Sequence, residues 1–222
     1  MLRLAVTLGL AVWMATSAVA EDKKVPLKTE IPEEILAGTP PDVLLILFPD
    51  LAKPPEKKPE MMVPSGTVNV SQGKKVTSSD TNPVLGELKF VTDGSKEGLE
   101  DNYVELGPLK QWVQIDLEKT CDVHAVYIWR YFREARSYHD VVAQVADNEE
   151  FTENVRTVYS NDQDNSLKMG IGKSRAYIET NYGHLIDAKG VPARFVRVYS
   201  NGNTANDLNH YVEVEVFGKP KG

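Results

Sequence analysis

From Thr67 onward the chain alternates apolar and polar residues in short runs separated by Gly, Asn, Asp and Pro, a period of two that predicts strands rather than helices. The candidate strands are 68–70, 74–78, 103–105, 112–117, 124–130, 141–146, 157–159, 176–179, 195–200 and 212–217. Val, Ile, Tyr and Phe dominate them, as suits a pleated surface that is half buried. The clearest alternation sets Trp112, Gln114 and Asp116 against Val113, Ile115 and Leu117, and a polar turn through Asp93 and Gly94 lies upstream of it. Short antiparallel strands at this spacing predict an all-β sandwich or jelly roll, with function left to the loops at its ends.

The pattern before Thr67 is different. Arg3, an apolar run over 4–15 and the small residues Ala18-Val19-Ala20, followed at once by charged Glu21-Asp22-Lys23-Lys24, make residues 1–20 an export signal. The run is short for a membrane span, so no stable span is expected after processing, and the predicted location is secreted or periplasmic. Residues 21–64 hold Pro26, Pro32, Pro40, Pro41, Pro49, Pro54, Pro55, Pro59 and Pro64. Proline at this density blocks helix and central strand and predicts an extended or disordered arm ahead of a sandwich domain over 65–219. Within the arm, 33–37 could form a short helical turn. The run Val43-Leu44-Leu45-Ile46-Leu47-Phe48 reads either as an extended segment packed on the domain or as a docking peptide for a partner.

Charge and chemistry narrow the function classes. A formal net charge of -7 excludes a nucleic-acid partner, because phosphate binding needs a basic surface. The single cysteine, Cys121, can form no internal disulfide, and its place between strand candidates reads as a buried thiol; a reactive one would need a nearby base. The histidines are His124, His139, His184 and His210, none of which forms a helical metal pair, and there is no Gly-x-Ser-x-Gly elbow. A glycosidase needs two positioned carboxylates, which nothing in the order of residues brings together. No catalytic constellation is visible in the order of residues, and a hydrolase is kept as the lesser alternative.

Several segments, in order, resemble the discoidin domain, also called the coagulation factor five/eight C-type domain, and the family-32 carbohydrate-binding modules that share its galactose-binding-like jelly roll. The matching pieces are Asn69-Val70-Ser71-Gln72-Gly73-Lys74-Lys75-Val76-Thr77-Ser78-Ser79, Phe90-Val91-Thr92-Asp93-Gly94, Gln111-Trp112-Val113-Gln114-Ile115-Asp116-Leu117, residues 141–147 with Phe151, Ala193-Arg194-Phe195-Val196-Arg197-Val198, and Val212-Glu213-Val214-Glu215-Val216-Phe217-Gly218. The resemblance implies a structural calcium ion. Carried over by position, Asp93 and Glu213 would supply carboxylates, and Phe90, Ser95 and Val212 backbone carbonyls. Gly98 departs from the pattern, since the family often has threonine there.

The resemblance also places ligands on the loops at one end. Sugar binding wants an aromatic ring for the apolar sugar face and planar polar groups for the hydroxyls. Loop 131–139 offers Tyr131, Arg133, Arg136, Tyr138 and His139; loop 201–211 offers Asn203, Asn206, Asp207 and His210. The competing reading makes the Asn residues turn caps and pairs the arginines with Glu134. His139 and His210 could meet beside Asp140 or Asp207, for a ligand or for zinc. Residues 161–166 read as a solvated turn or a shallow second calcium site. Gly170-Ile171-Gly172-Lys173-Ser174 fails as a phosphate loop because Leu167 stands where the first glycine is required. The expected partner is a glycan or polysaccharide; the alternative is an envelope protein in an assembly role.

Overall fold

A computed structural model describes residues 23–99 and 102–221; the expected export signal at 1–20 lies outside them. In chain order the elements are β1 (Lys24–Pro26), α1 (Pro41–Leu47), β2 (Met62–Pro64), β3 (Val68–Asn69), β4 (Val76–Ser78), a 3-10 turn (Leu88–Thr92), β5 (Val104–Leu106), β6 (Lys110–Trp129), β7 (Val142–Ala146), β8 (Arg156–Ser160), β9 (His184–Asn201), β10 (Asn209–Tyr211) and β11 (Glu213–Pro220). The large sheet runs β3–β11–β6–β9–β7–β8, with β4 along the first half of β6. β1 pairs with β2 and β5 with β10, each antiparallel.

β6 and β9 are long because each serves two layers. Their register breaks between Asp116 and Cys121. Glu118 on β6 takes a positive φ of 67° at this bend, and Lys189 on β9 takes one of 58° at a second break, between Val123 and Ala125. Before the break β6 pairs with β4 and the second half of β9; after it, with β11 and the first half of β9. The two halves close on one core. Val113, Ile115, Leu117, Val196 and Val198 meet Val126, Ile128, Ile186, Val214 and Val216 there. This is the antiparallel all-β sandwich that the alternation predicts, with candidates 112–117 and 124–130 fused into one bent strand. Cys121 is fully buried in the core, and burial pushes its thiol pKa up, so it is a structural residue.

The outer face of a sandwich sheet is ordinarily polar. On the β11–β6 layer it carries Ala125, Tyr127, Trp129 and Phe217, and Leu27, Ile31 and Met61 of the arm pack over them. Tyr127 and Trp129 stack at 4.0 Å between ring centroids and are fully buried. Polar ties pin the arm down. Thr29 Oγ1 donates to Glu215 Oε2 at 2.7 Å, and Asn181 Nδ2 donates to the Pro32 carbonyl at 3.0 Å. Lys96 Nζ lies 2.8 Å from Glu215 Oε1 and 4.9 Å from the Trp129 ring centre. A cleft of about 780 Å³ remains between arm and sheet, lined by Leu27, Thr29, Gln72, Lys96, Glu215 and Phe217 among others.

Three expectations for the chain's local structure are corrected. Residues 43–48 do not extend: Pro41–Leu47 is an α-helix, opened by proline in its first turn with Asp42 beside it. It turns Leu44 inward against Leu51, Ala135 and Ile178, which an extended run with no neighbouring strand could not do. Residues 33–37 form no helical turn, because Ala37 bridges to Glu134 and its N–H donates to the Arg133 carbonyl. Residues 176–179 are no strand: only Tyr177 bridges, to Ala52, and the Glu179 N–H donates to the Arg136 carbonyl. The arm as a whole is ordered by these contacts and forms a third layer.

Candidate functional site

Loops 131–139 and 201–211 are laced together at one end of the sandwich. Tyr138 bridges to Asn203, the His139 N–H donates to the Gly202 carbonyl at 3.0 Å, and the Thr204 N–H donates to the Ser137 carbonyl at 2.9 Å. The nine candidate binding residues divide by burial. Arg136, Tyr138, Asn203 and His210 are buried, Tyr131 and Arg133 are half-buried, and His139, Asn206 and Asp207 are exposed. Asn203 and Asn206 build the turn themselves. Asn203 Oδ1 accepts from the Ala205 and Asn206 N–H groups, and Asn203 Nδ2 donates to Asn206 Oδ1 at 2.7 Å. Arg136 donates to Glu134 Oε2 at 2.6 Å and lies over the Tyr131 ring at 4.6 Å; Arg133 donates to the Glu97 carbonyl at 3.0 Å.

Beneath these loops lies a buried polar network. His210 Nδ1 is 2.9 Å from the Tyr138 hydroxyl and its Nε2 is 2.8 Å from Glu105 Oε2. A neutral ring that accepts from Tyr138 and donates to Glu105 satisfies both contacts. Burial, with Arg136 and Arg130 nearby, draws the ring pKa down to about 3, which outweighs the pull of Glu105 toward the charged form. With both nitrogens engaged, His210 is not open to a metal, and the zinc reading with His139 falls away.

Arg130 is fully buried. It lies over the Tyr138 and Tyr211 rings at 4.8 and 4.6 Å and donates to the Tyr199 carbonyl at 3.0 Å. Its Nε is 3.9 Å from Glu179 Oε1. Burial raises the Glu179 pKa to about 8, against the opposing charge of Arg130.

His184 stacks on Tyr177 with centroids 3.9 Å apart, and Tyr159 meets it edge-on at 4.7 Å. Burial, then the Arg130 charge, lowers its pKa to about 4. A depressed histidine contributes stability that is present above its ordinary pKa and is lost as pH falls through the folded-state value. Between pH 6.5 and 4 the wild type is expected to lose about 2 kcal/mol that His184→Phe retains, read from urea unfolding at pH 7 and pH 4.5.

The expected calcium ligands converge in part. Glu213 is fully buried; its Oε2 accepts from the Gly94 N–H at 3.1 Å, while its Oε1 has no hydrogen-bond partner among the described residues. Burial raises its pKa to about 9, and the nearby carboxylates of Glu215 and Asp93 add to that rise. Asp93 is exposed and uses Oδ1 to accept from the Ser95 N–H at 2.8 Å. A buried carboxylate with one unpartnered oxygen beside a second acid is a donor set that suits a hard cation, so these residues fit calcium. Lys96 supplies some positive charge nearby but pairs with Glu215.

The polar segment 161–166 brings Asp162 and Asp164 to Asp140, with one oxygen of each within 4.8 Å of the others. Those oxygens are already used: the Ser166 N–H donates to Asp162 and Asp164, its hydroxyl to Asp140, and the Leu167 N–H to Asp162. The segment is a hydrogen-bonded turn, but it is not solvated throughout, because Asn161 and Asp162 are buried in it.

Sequence reasoning did not anticipate Arg130, Glu179 or Glu105 as partners of the loop residues, nor the outer face around Trp112. There the Arg197 guanidinium sits between the Trp112 and Phe151 rings, at 4.1 and 4.0 Å, and donates to Gln114. The alternation had placed Trp112 on the face opposite Val113 and Ile115. Arg197, two residues from Phe195 on a strand, was the available signal for its partner.

No family model matches the chain, and no curated protein matches it. Solved structures do. A family 89 glycoside hydrolase from Clostridium perfringens is similar with a TM-score of 0.52 and 17% identity over 70% of this chain, which spans 15% of that protein's length. A family-32 carbohydrate-binding module from Clostridium perfringens, solved with GlcNAc-α-1,4-galactose, is similar with a TM-score of 0.51 and 14% identity, over 70% of this chain and 96% of the module. These likenesses establish the fold as the galactose-binding-like, discoidin-type sandwich.

Proposed function

We propose that this chain is an exported, non-catalytic module that binds a glycan at the laced loop end. Tyr131, Arg133, His139, Asn206 and Asp207 would meet the sugar, held in place by the buried Arg136, Tyr138, Asn203 and His210. The observation that carries this reading is the division of the nine residues. Side chains able to stack on a sugar or grip its hydroxyls stay accessible, and a rigid hydrogen-bonded frame lies directly beneath them. The fold neighbour solved with GlcNAc-α-1,4-galactose supplies the first probe. A glycan array with the full chain, extended to galactose-type and uronic sugars and run with and without calcium, tests the reading. Binding to one sugar class supports it; no binding to any glycan in either condition counts against it.

Calcium enters the same reading as a structural ion. Asp93 and Glu213 would give carboxylates, and Phe90, Ser95 and Val212 carbonyls, fixing the segment that follows the 3-10 turn. Calcium at 100 times its Kd is expected to stabilise the wild type by about 2.7 kcal/mol, a rise in Tm of about 5–10 °C. Glu213→Gln should fold without calcium and lose the response. An unchanged wild-type Tm in millimolar calcium, measured by scanning calorimetry, removes the ion from the account.

A further inference from the structure

α1 shows opposite characters on its two sides. Leu44 is buried, while Val43, Ile46 and Leu47, spaced one helical turn apart, face outward with Ile46 78% and Leu47 65% exposed. Phe48 is exposed next along the chain, and Ile35 and Leu36, also exposed, line a crevice with Pro41 at the start of the helix. Exposed apolar residues at i, i+3 and i+4 on an anchored helix are the pattern of a helix seated in a partner's groove.

Charge selects the partner. Between Ile31 and Ala52 the charged residues are Glu33, Glu34, Asp42 and Asp50, all exposed, and exposed Lys53 is the first base after them, so acids outnumber it four to one. Arg175 approaches this border, 4.0 Å from Asp50. A second copy docking ridge to ridge would set these four acids against their own images. An anionic lipid surface would repel them, and the ridge lacks the basic flank that membrane-surface helices carry. We infer that the ridge of Val43, Ile46 and Leu47 docks into an apolar groove, rimmed by Lys and Arg, on a different protein. This role is separate from glycan binding at the loops.

The test places a benzophenone side chain at Ile46 of the full chain in its source cell, with Leu109, also strongly exposed, as the control position. The expected result is one dominant protein adduct at Ile46 and none at Leu109, its cross-linked peptide lying among Lys and Arg. Binding of the purified pair should weaken about 30-fold with Ile46→Asp, the loss expected of an interface anchor, and should weaken steeply with salt. Ile46→Asp should leave Tm unchanged, since the side chain covers no core. An adduct of the chain with itself, an adduct with lipid, no adduct, or a partner indifferent to Ile46→Asp would each overturn the inference.

Discussion

A chain lacking residues 23–64 is expected to lose its cooperative unfolding transition and move to the insoluble fraction. The sandwich closes its own core, but the outer face of the β11–β6 layer is not a finished surface. Tyr127 and Trp129 are fully buried there, and Leu27, Ile31 and Met61 belong to the cluster that covers them. Aromatic side chains of this kind bury about 150–250 Å² each, so uncovering half of the pair costs about 4–6 kcal/mol at about 25 cal/mol per Å². That approaches the whole stability of an ordinary domain, about 5–15 kcal/mol. The loss of Thr29 and Pro32 as partners of Glu215 and Asn181 adds to it. Solubility, dye binding to exposed apolar surface and urea unfolding read the outcome. A truncated chain that is soluble and unfolds at the wild-type midpoint would show the arm to be a mere linker. The same physics makes arm deletion a poor probe of partner docking, for which a point change at Ile46 is the clean substitute.

Arg130→Met should destabilise the protein by about 3–5 kcal/mol at pH 8. The guanidinium is fully buried, and it is the positive charge that opposes the burial-driven rise of the Glu179 pKa. Methionine fills much of the volume but leaves the Tyr199 carbonyl without that donor and Glu179 without its counter-charge. The sign of the pH dependence follows from Glu179. Its pKa is already raised to about 8, so its contribution is fully present below the ordinary carboxylate value and is lost as pH rises through the folded-state value. Without Arg130 that pKa climbs further, so the loss should be smaller at pH 5, where Glu179 is protonated in both chains, than at about pH 9.5, where only the wild type ionises it, and Glu179→Gln in the same chain should recover part of it at about pH 9.5. Equal destabilisation at pH 5 and about pH 9.5 would mean that Arg130 acts through packing alone.

The layers of the fold were legible because alternation survives in single residues. Val113, Ile115 and Leu117 against Trp112, Gln114 and Asp116 foretold which side chains enter the core. The arm was not legible for two reasons. A short apolar run such as Val43-Leu44-Leu45-Ile46-Leu47-Phe48 satisfies a strand or a helix equally, and what decides is tertiary: Leu44 finds Leu51 and Ile178 only if the segment coils. Proline density excludes helix and central strand from much of the arm, yet it says nothing about docking, which depends on the unusual apolar outer face at Tyr127 and Trp129. The candidate site was half legible. Its loops were identified by composition, but Asn203 and Asn206 had two uses open to them: turn building takes up both ends of the Asn203 amide and only the oxygen of Asn206, whose side-chain N–H groups remain for a ligand. Arg130 and Glu179 stand far apart in the chain, and only the closed sandwich brings them together.

The central claim is that a glycan binds at the laced loops, and chemical-shift mapping of the full chain tests it most directly. Titration with GlcNAc-α-1,4-galactose, or with the best glycan from the array, should move resonances of Tyr131, Arg133, His139, Asn206 and Asp207 and leave the outer face around Trp112 and Arg197 unmoved. Shifts confined to the Trp112–Arg197–Phe151 face, or no shifts at saturating glycan, would contradict it.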